Sequence, residues 1–301
     1  MTDNPEVPVR LDGVSRDFGD FRALDHIDLE IPAGGTVGLL GPNGSGKTTL
    51  LSLVSGLRAP TDGTVRLFGL DPRDPAARVR LGVTPQQSGL VSYLTVRGLI
   101  RFVGRHFTDA EATDALLSAF RIEHLADKRI GGLSGGQQRL LSVALAFVGR
   151  PRLVLLDEPS NGLDITARSL LWEVIRERSQ NGITILLTSH YLDEVQELSD
   201  RVVMIRQGRI VADDTTAGII RHTAITEVHI TTDDDRALAL PGVTAGRREG
   251  GTVVLSVEDA ATALQALARA GVVYTDIDIQ KPDLEAAFTR LSRQTPHQEA
   301  S

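Results

Sequence analysis

The stretch "GPNGSGKTTL", residues 41–50, places Gly41, Gly44 and Gly46 ahead of Lys47, Thr48 and Thr49. This is the G-x-x-x-x-G-K-[ST] spacing, in which backbone N–H groups close on phosphate oxygens, the lysine reaches the outer phosphates and the hydroxyl of Thr48 can ligate Mg²⁺. "RLVLLDEP", residues 152–159, ends an apolar run in two carboxylates. Asp157 suits a divalent metal, and Glu158 suits a general base that positions or deprotonates water. "GITILLTSH", residues 182–190, ends a second apolar run in His190, whose imidazole can hydrogen-bond a transferable phosphate. A further glycine-rich stretch, "GGLSGGQQRLLSVALAF" at 131–147, opens a helix, where unpaired N–H groups and the positive dipole end also attract an anion. One nucleotide does not need two such sites, so the second must serve something else.

The elements that position these residues follow from hydrophobic pattern. Residues 9–18 and 23–32 alternate as half-buried strands of an antiparallel edge. Residues 36–41, 152–159 and 182–190 are continuous apolar runs, as expected of strands buried on both faces, and the first leads through the glycine loop into a helix from Lys47 to about Ser55. Residues 64–68 are another short strand, and Pro85 and Gln86 lie at a turn. From about Leu90 to Val148 the pattern is helical, with starts marked by Thr95 and Thr108 and a stop at Gly149 before Pro151. A helix over 165–179 carries the only Trp, and "DRVVMIRQGRIVAD" reads as a hairpin. Strands alternating with helices predict a parallel sheet covered on both sides. After about Arg221 short strands (225–231, 252–257, 272–280) and helices (259–270, 282–291) predict a small α+β domain. "DDD" at 233–235 is expected to be a solvated turn, and 293–301 a flexible tail.

Composition narrows the class. The hydrophobic share of 41% supports a buried core, and the net charge of −7 argues against a strongly basic nucleic-acid surface. Cysteine is absent, so thiol redox chemistry and cysteine-bound zinc are excluded. No run approaches the roughly 20 apolar residues of a membrane span, which predicts a cytosolic or peripheral protein. Lys47 stands out in a chain whose 32 basic residues include only two other lysines, Lys128 and Lys281.

Taken in order, "GPNGSGKTTL", "PQQ", "LSGGQQ", "LVLLDEPSNGLD" and "LLTSH" resemble the full motif set of ABC transporter ATPase subunits, over residues 9 to about 215. The resemblance implies an α/β fold of the P-loop NTPase, ABC type: parallel core sheet, antiparallel β edge and helical subdomain (about 90–148) within residues 1–220, with a small C-terminal α+β domain at 221–292. It implies that Gly41, Asn43, Gly44, Ser45, Gly46, Lys47, Thr48 and Thr49 hold the phosphates of ATP. Thr48, Gln86 and Asp157 would serve Mg²⁺, Gln86 also reaching the attacking water. Glu158 would be the catalytic base, His190 the γ-phosphate contact and Asp164 the D-loop residue. Phe18 sits where the family places an adenine-stacking aromatic, more often Tyr; a core aromatic at a strand end fits the pattern as well.

The same resemblance explains the second glycine loop. Ser134, Gly135, Gly136 and Gln137 would cap the γ-phosphate held by a second copy in a head-to-tail dimer, so that a monomer binds ATP but hydrolyses it poorly. "KPDLEAAFTRLS" resembles the ending of the drug-resistance branch, whose members pair with a separate transmembrane permease at the cytoplasmic face of the membrane and export amphipathic compounds; Leu284 and Phe288 at i, i+4 would look similar if they merely packed the helix. Tyr93, Phe102 and Phe107 are candidates for the permease groove, or for simple core packing. The competing class is a soluble mechanical ATPase acting on nucleic acid or ribosomes. Such relatives carry a long coiled coil or two cassettes, and this chain shows neither.

Overall fold

The computed structural model describes residues 7–84, 89–223, 226–280 and 282–293. Alternating burial along β1 (Val9–Phe18) and β2 (Phe21–Ile31) makes an antiparallel pair, joined by a turn in which Gly19 takes a positive φ of 59°. β3 (Thr36–Leu40) is buried along its whole length and leads to α1 (Lys47–Val54). β4 (Asp62–Leu67) returns to pair with β1, giving a three-stranded sheet in the order β2–β1–β4. Leu50, Leu53 and Val54 of α1 pack into a core cluster that also holds Leu11, Ile27 and Leu67 of this sheet and Leu39, Leu155 and Leu186 of the central sheet. Each such leucine contributes about 1.5–3 kcal/mol by burial, so α1 is anchored from both sides.

The chain continues through α2 (Pro75–Arg78), β5 (Leu81–Thr84), α3 (Val96–Gly104), α4 (Thr113–Ala119) and α5 (Gly135–Phe147). Then come β6 (Leu153–Asp157), α6 (Ile165–Gln180), β7 (Thr184–Thr188), α7 (Leu192–Leu198), β8 (Arg201–Arg206) and β9 (Arg209–Thr215). The central sheet has the order β5–β6–β7–β3–β8–β9 and is parallel except for β9. β3, β6 and β7 are buried at every residue, as their apolar runs predict. Because they are parallel neighbours, their C-terminal ends open on one edge, where α/β sheets bind ligands.

Thr95 caps α3 as expected, accepting a hydrogen bond from the Gly98 N–H. Thr108 does not start a helix. Glu111 bonds to two helices, its N–H to the Val148 carbonyl at the end of α5 and its carboxylate to Arg178 of α6 (Ile165–Gln180) at 2.8 Å, which holds this segment irregular until α4 begins at Thr113. The hairpin β8–β9 turns at Gln207 and Gly208, both at positive φ, the two-residue turn whose twist suits antiparallel strands.

The chain divides into two compact units between Thr215 and Thr216, earlier than the Arg221 read from composition, because α8 (Thr216–Thr223) packs with the last helix of the second unit. That unit contains β10 (Thr226–Thr231), β11 (Val243–Glu249), β12 (Thr252–Val257), α9 (Ala260–Arg269), β13 (Asp276–Gln280) and α10 (Leu284–Arg293), with the sheet order β11–β12–β10–β13. β11 had no sequence signal: it is an edge strand, exposed at all but its first residue, so nothing forces its side chains to alternate. β13 starts at Asp276 rather than 272, because Val272 is spent in the core just after α9. The triplet at 233–235 is the solvated turn expected, and it is pinned locally: the Asp234 side chain accepts from the Arg236 N–H at the start of a 3₁₀ turn, and exposed Asp235 pairs with Arg248 at 2.7 Å.

Candidate functional site

The glycine loop connects β3 to α1 in the strand–loop–helix context its spacing requires. A Cβ on Gly41 would lie 2.2 Å from the Ile205 carbonyl oxygen, and one on Gly46, which has a φ of 112°, would lie 2.7 Å from that of Ala23. Glycine is therefore demanded by backbone approaching backbone as well as by the ligand. No described side chain caps the α1 N-terminus, so its first N–H groups remain available to an anion. Lys47 is 9% exposed, and its Nζ donates to the carbonyls of Gly41 (2.6 Å) and Pro42 (3.0 Å), folding the ammonium over the loop. Burial lowers the Lys47 pKa, and the charges of Glu158 and Asp157 offset this in part. The hydroxyl of Ser45 is buried without a hydrogen-bond partner among the described residues. An open helix end, a desolvated cation and an orphaned hydroxyl together fit a polyphosphate.

β6 delivers Asp157 and Glu158 to the same edge. Asp157 is buried, and its Oδ1 accepts from the Thr188 hydroxyl at 2.5 Å; that hydroxyl in turn accepts from the Glu158 N–H at 3.1 Å. Thr188 at the end of β7 thus orients both acidic residues. Glu158 has a φ of 49°, a left-handed conformation that costs a non-glycine residue about 1 kcal/mol or more and persists only where the surroundings impose it. The turn aims the carboxylate at His190, whose Nδ1 lies 3.5 Å from Glu158 Oε1, while Asn161 Nδ2 lies 3.3 Å from Oε2. The His190 ring is 44% exposed and stacks on Tyr191 with centroids 4.0 Å apart. Gln86 lies outside the described residues.

The second glycine loop opens α5 with a capping box: the Gln137 N–H donates to Ser134 Oγ (3.3 Å), and the Ser134 N–H donates to Gln137 Oε1 (3.1 Å). A Cβ on Gly135 would meet nothing within 4 Å among the described residues, and one on Gly136 would meet Leu163 at an ordinary 3.4 Å. The chain's own packing therefore does not explain glycine here, in contrast to Gly41 and Gly46. Asp164 caps α6, accepting from the Ala167 N–H at 2.8 Å.

A residue missed in the sequence joins these parts. Arg139, two residues beyond Gln137 and only 8% exposed, donates to the carbonyls of Asp157, Glu158 (2.9 Å) and Pro159 (3.2 Å). The available signal was an arginine on the buried face of a helix, which must find acceptors. Phe18 is 37% exposed and is flanked by the guanidinium carbons of Arg16 and Arg58 at 4.8 and 5.0 Å from its centroid. Tyr93 and Phe102 are exposed, whereas the Phe107 ring packs so closely on Gly149 that a Cβ there would fall 2.4 Å from it.

A parallel sheet that brings a phosphate loop, two acidic residues and a histidine to one edge defines a P-loop nucleoside triphosphatase. Residues 24–161 match the ABC transporter family. The chain is 39% identical over 223 residues to the Nod factor export ATP-binding protein I of Paraburkholderia xenovorans (strain LB400), covering 72% of this chain and 73% of that protein. It is 34% identical over 307 residues to the daunorubicin resistance ATP-binding protein DrrA2 of Streptomyces coeruleorubidus, covering 94% of each. A solved ATP-binding subunit of an ABC transporter superposes with a TM-score of 0.66 at 27% identity, over 71% of this chain and 92% of that one. The chain belongs to the ABC transporter ATP-binding family, in its drug-resistance type branch. It is an ATPase subunit that works with transmembrane components, and no helix among the described residues is long and apolar enough to cross a membrane.

Proposed function

We propose that two copies of this chain close head to tail on two ATP molecules and so power export of an amphipathic compound through a separate permease at the cytoplasmic face of the membrane. The observation that carries the dimer is the α5 N-terminus: Gly135 faces open space among the described residues and Gly136 meets only an ordinary contact with Leu163, so neither glycine is required by the chain's own packing, which suits a phosphate brought by a second copy. The names of the relatives, Nod factor export and daunorubicin resistance, support export over import.

In this reading the backbone N–H groups of residues 41–49 and the Lys47 ammonium hold the phosphates, and Phe18 stacks on the adenine after Arg58 gives way. Glu158 accepts a proton from the attacking water, its carboxylate aimed by the left-handed turn and by Asn161. His190 donates to the γ-phosphate, and Ser134 and the Gly136 N–H of the other copy cap it from the opposite side. The oxygen donors of Asp157 and Thr48 suit a hard cation, so these residues would hold Mg²⁺, with Gln86, and the ion would neutralise charge on the phosphates. Exposed Tyr93 and Phe102 form part of the permease contact; Phe107 supports it from below. The acidic net charge supports a role without nucleic acid.

The test is ATP turnover against protein concentration, with size-exclusion chromatography of Glu158→Gln in ATP and Mg²⁺. A rate per chain that rises with concentration, and an ATP-held dimer of the variant without turnover, are expected. Concentration-independent turnover without an ATP-dependent dimer rejects the composite site.

A further inference from the structure

A buried carboxylate that the phosphate chemistry does not use lies behind the site. Glu194 of α7 is fully buried, where a leucine would ordinarily fill the space. Its Oε1 accepts from the Ser160 hydroxyl and from the indole Nε1 of Trp172 at 3.0 Å, and burial raises the pKa of the carboxyl group. Trp172 Nε1 is also 3.2 Å from Ser160 Oγ, closing a triangle. The groups come from separate places: Ser160 lies in the turn from β6 to Asp164, Trp172 lies on α6, and Glu194 lies on α7, which begins two residues after His190.

A second tie runs beside the first. The guanidinium of Arg168 on α6 lies 5.4 Å from the Trp172 ring centroid and 5.6 Å from that of Tyr191, and Tyr191 stacks on His190. The same turn meets the second glycine loop, Leu163 Cδ2 and the Gly162 carbonyl oxygen being the atoms nearest to a Cβ on Gly136.

We propose that Glu194 is a positioning residue that locks the turn 160–164 to the His190 turn, so that the group facing this chain's own γ-phosphate and the surface offered to the second copy move as one body. Buried polar networks specify a single arrangement when every donor is matched, which a leucine at 194 could not do. The link from Glu194 to His190 is independent of oligomeric state; its consequence for the second copy rests on the head-to-tail reading above.

The test uses the full chain and its single tryptophan, Trp172, as the reporter. Glu194→Gln keeps an acceptor oxygen for Ser160 and Trp172, whereas Glu194→Leu removes it. Expected for Glu194→Leu is a kcat lowered about tenfold or more with the KM for ATP within about twofold, and for Glu194→Gln a kcat within about threefold of wild type. In a Glu158→Gln background, ATP should shift the Trp172 emission, and Glu194→Leu should abolish that shift while Glu194→Gln retains it. A folded Glu194→Leu with wild-type kcat, or with only KM raised, overturns the proposal. So does a Glu194→Gln that falls with the Leu variant, since charge rather than the acceptor atom would then be at work. If Glu194→Leu does not fold, Ser160→Ala decides: it deletes one hydroxyl and leaves the bond to Trp172, and a kcat equal to wild type rejects the lock. Failure of Glu158→Gln to dimerise in ATP rejects the head-to-tail reading alone, because the kcat and emission comparisons among Glu194 variants do not require it.

Discussion

Arg139 donates a hydrogen bond to the carbonyl oxygen of Glu158 at 2.9 Å, from the helix that begins at the second glycine loop. With the carbonyls of Asp157 and Pro159 also bound to the guanidinium, one side chain of α5 holds the whole backbone turn that carries the acidic pair. Burial pulls the Arg139 pKa down, and Asp157, Glu158 and Glu194 oppose this, so the cation stays in place through its neighbours.

Replacing it therefore affects both stability and chemistry. Arg139→Met leaves carbonyl acceptors unmatched at a cost of about 1–3 kcal/mol each, and it relaxes the left-handed turn at Glu158. The expected result is a Tm lower by several degrees and a kcat reduced about 10²-fold, with ATP binding retained. Arg139→Lys, which can serve fewer carbonyls, should fall between. Calorimetry and steady-state kinetics check this, and an unchanged kcat in a folded Met variant contradicts it.

Gly135→Ala separates the needs of the fold from those of the second copy. Its Cβ meets nothing within 4 Å among the described residues, and alanine favours helix by up to about 1 kcal/mol, so the variant should melt no lower than wild type. If a phosphate of another copy approaches there, turnover should drop about tenfold or more while ATP binding to the monomer is unaffected. Full activity in this variant would sink the capping role of the loop.

Lys47 couples pH to nucleotide. Its folded pKa lies below the ordinary 10.5 because burial penalises the ammonium, so the unfolded chain keeps its proton to higher pH than the folded one. The sign follows: between the lowered value and 10.5 the nucleotide-free protein gains stability as pH rises. Bound phosphates reverse the preference by favouring the charged form. Thermal stabilisation by ATP should accordingly decline as pH rises through the lowered pKa, and Lys47→Met should abolish ATP stabilisation without lowering the Tm of the nucleotide-free protein. Melting curves from about pH 7 to about pH 10 measure both.

Asp25 supplies a test at the acid end. Hydrogen bonds from His26 and then Arg209 hold its pKa to about 2, against the ordinary 3.8. The Arg209 bond joins β2 to β9. A lowered carboxyl pKa contributes stability above 3.8 that is lost as pH falls through about 2. Asp25→Asn should be less stable than wild type in urea at pH 5, and the gap should close as the pH approaches 2. A gap that is constant with pH would assign the effect to packing.

The sequence by itself determined where the local parts of the candidate site lie. Gly41 to Thr49, Asp157 with Glu158, and Ser134 to Gln137 are legible because a loop around phosphate, a strand end and a helix cap each need particular residue types at fixed short spacing. The buried strands were legible for the same reason, since a strand covered on both faces must be apolar throughout. Tertiary structure alone decided which residues hold these parts together. Arg139 serves carbonyls about twenty residues away, and Glu194 gathers Ser160 and Trp172 from two segments; neither separation leaves a periodic trace. Likewise β11 is a strand only because β12 lies beside it, and Thr108 fails to start a helix because Glu111 is drawn to Val148 and Arg178. Spacing along the chain records what the backbone needs locally, whereas a buried polar group takes its partners from wherever the fold delivers them.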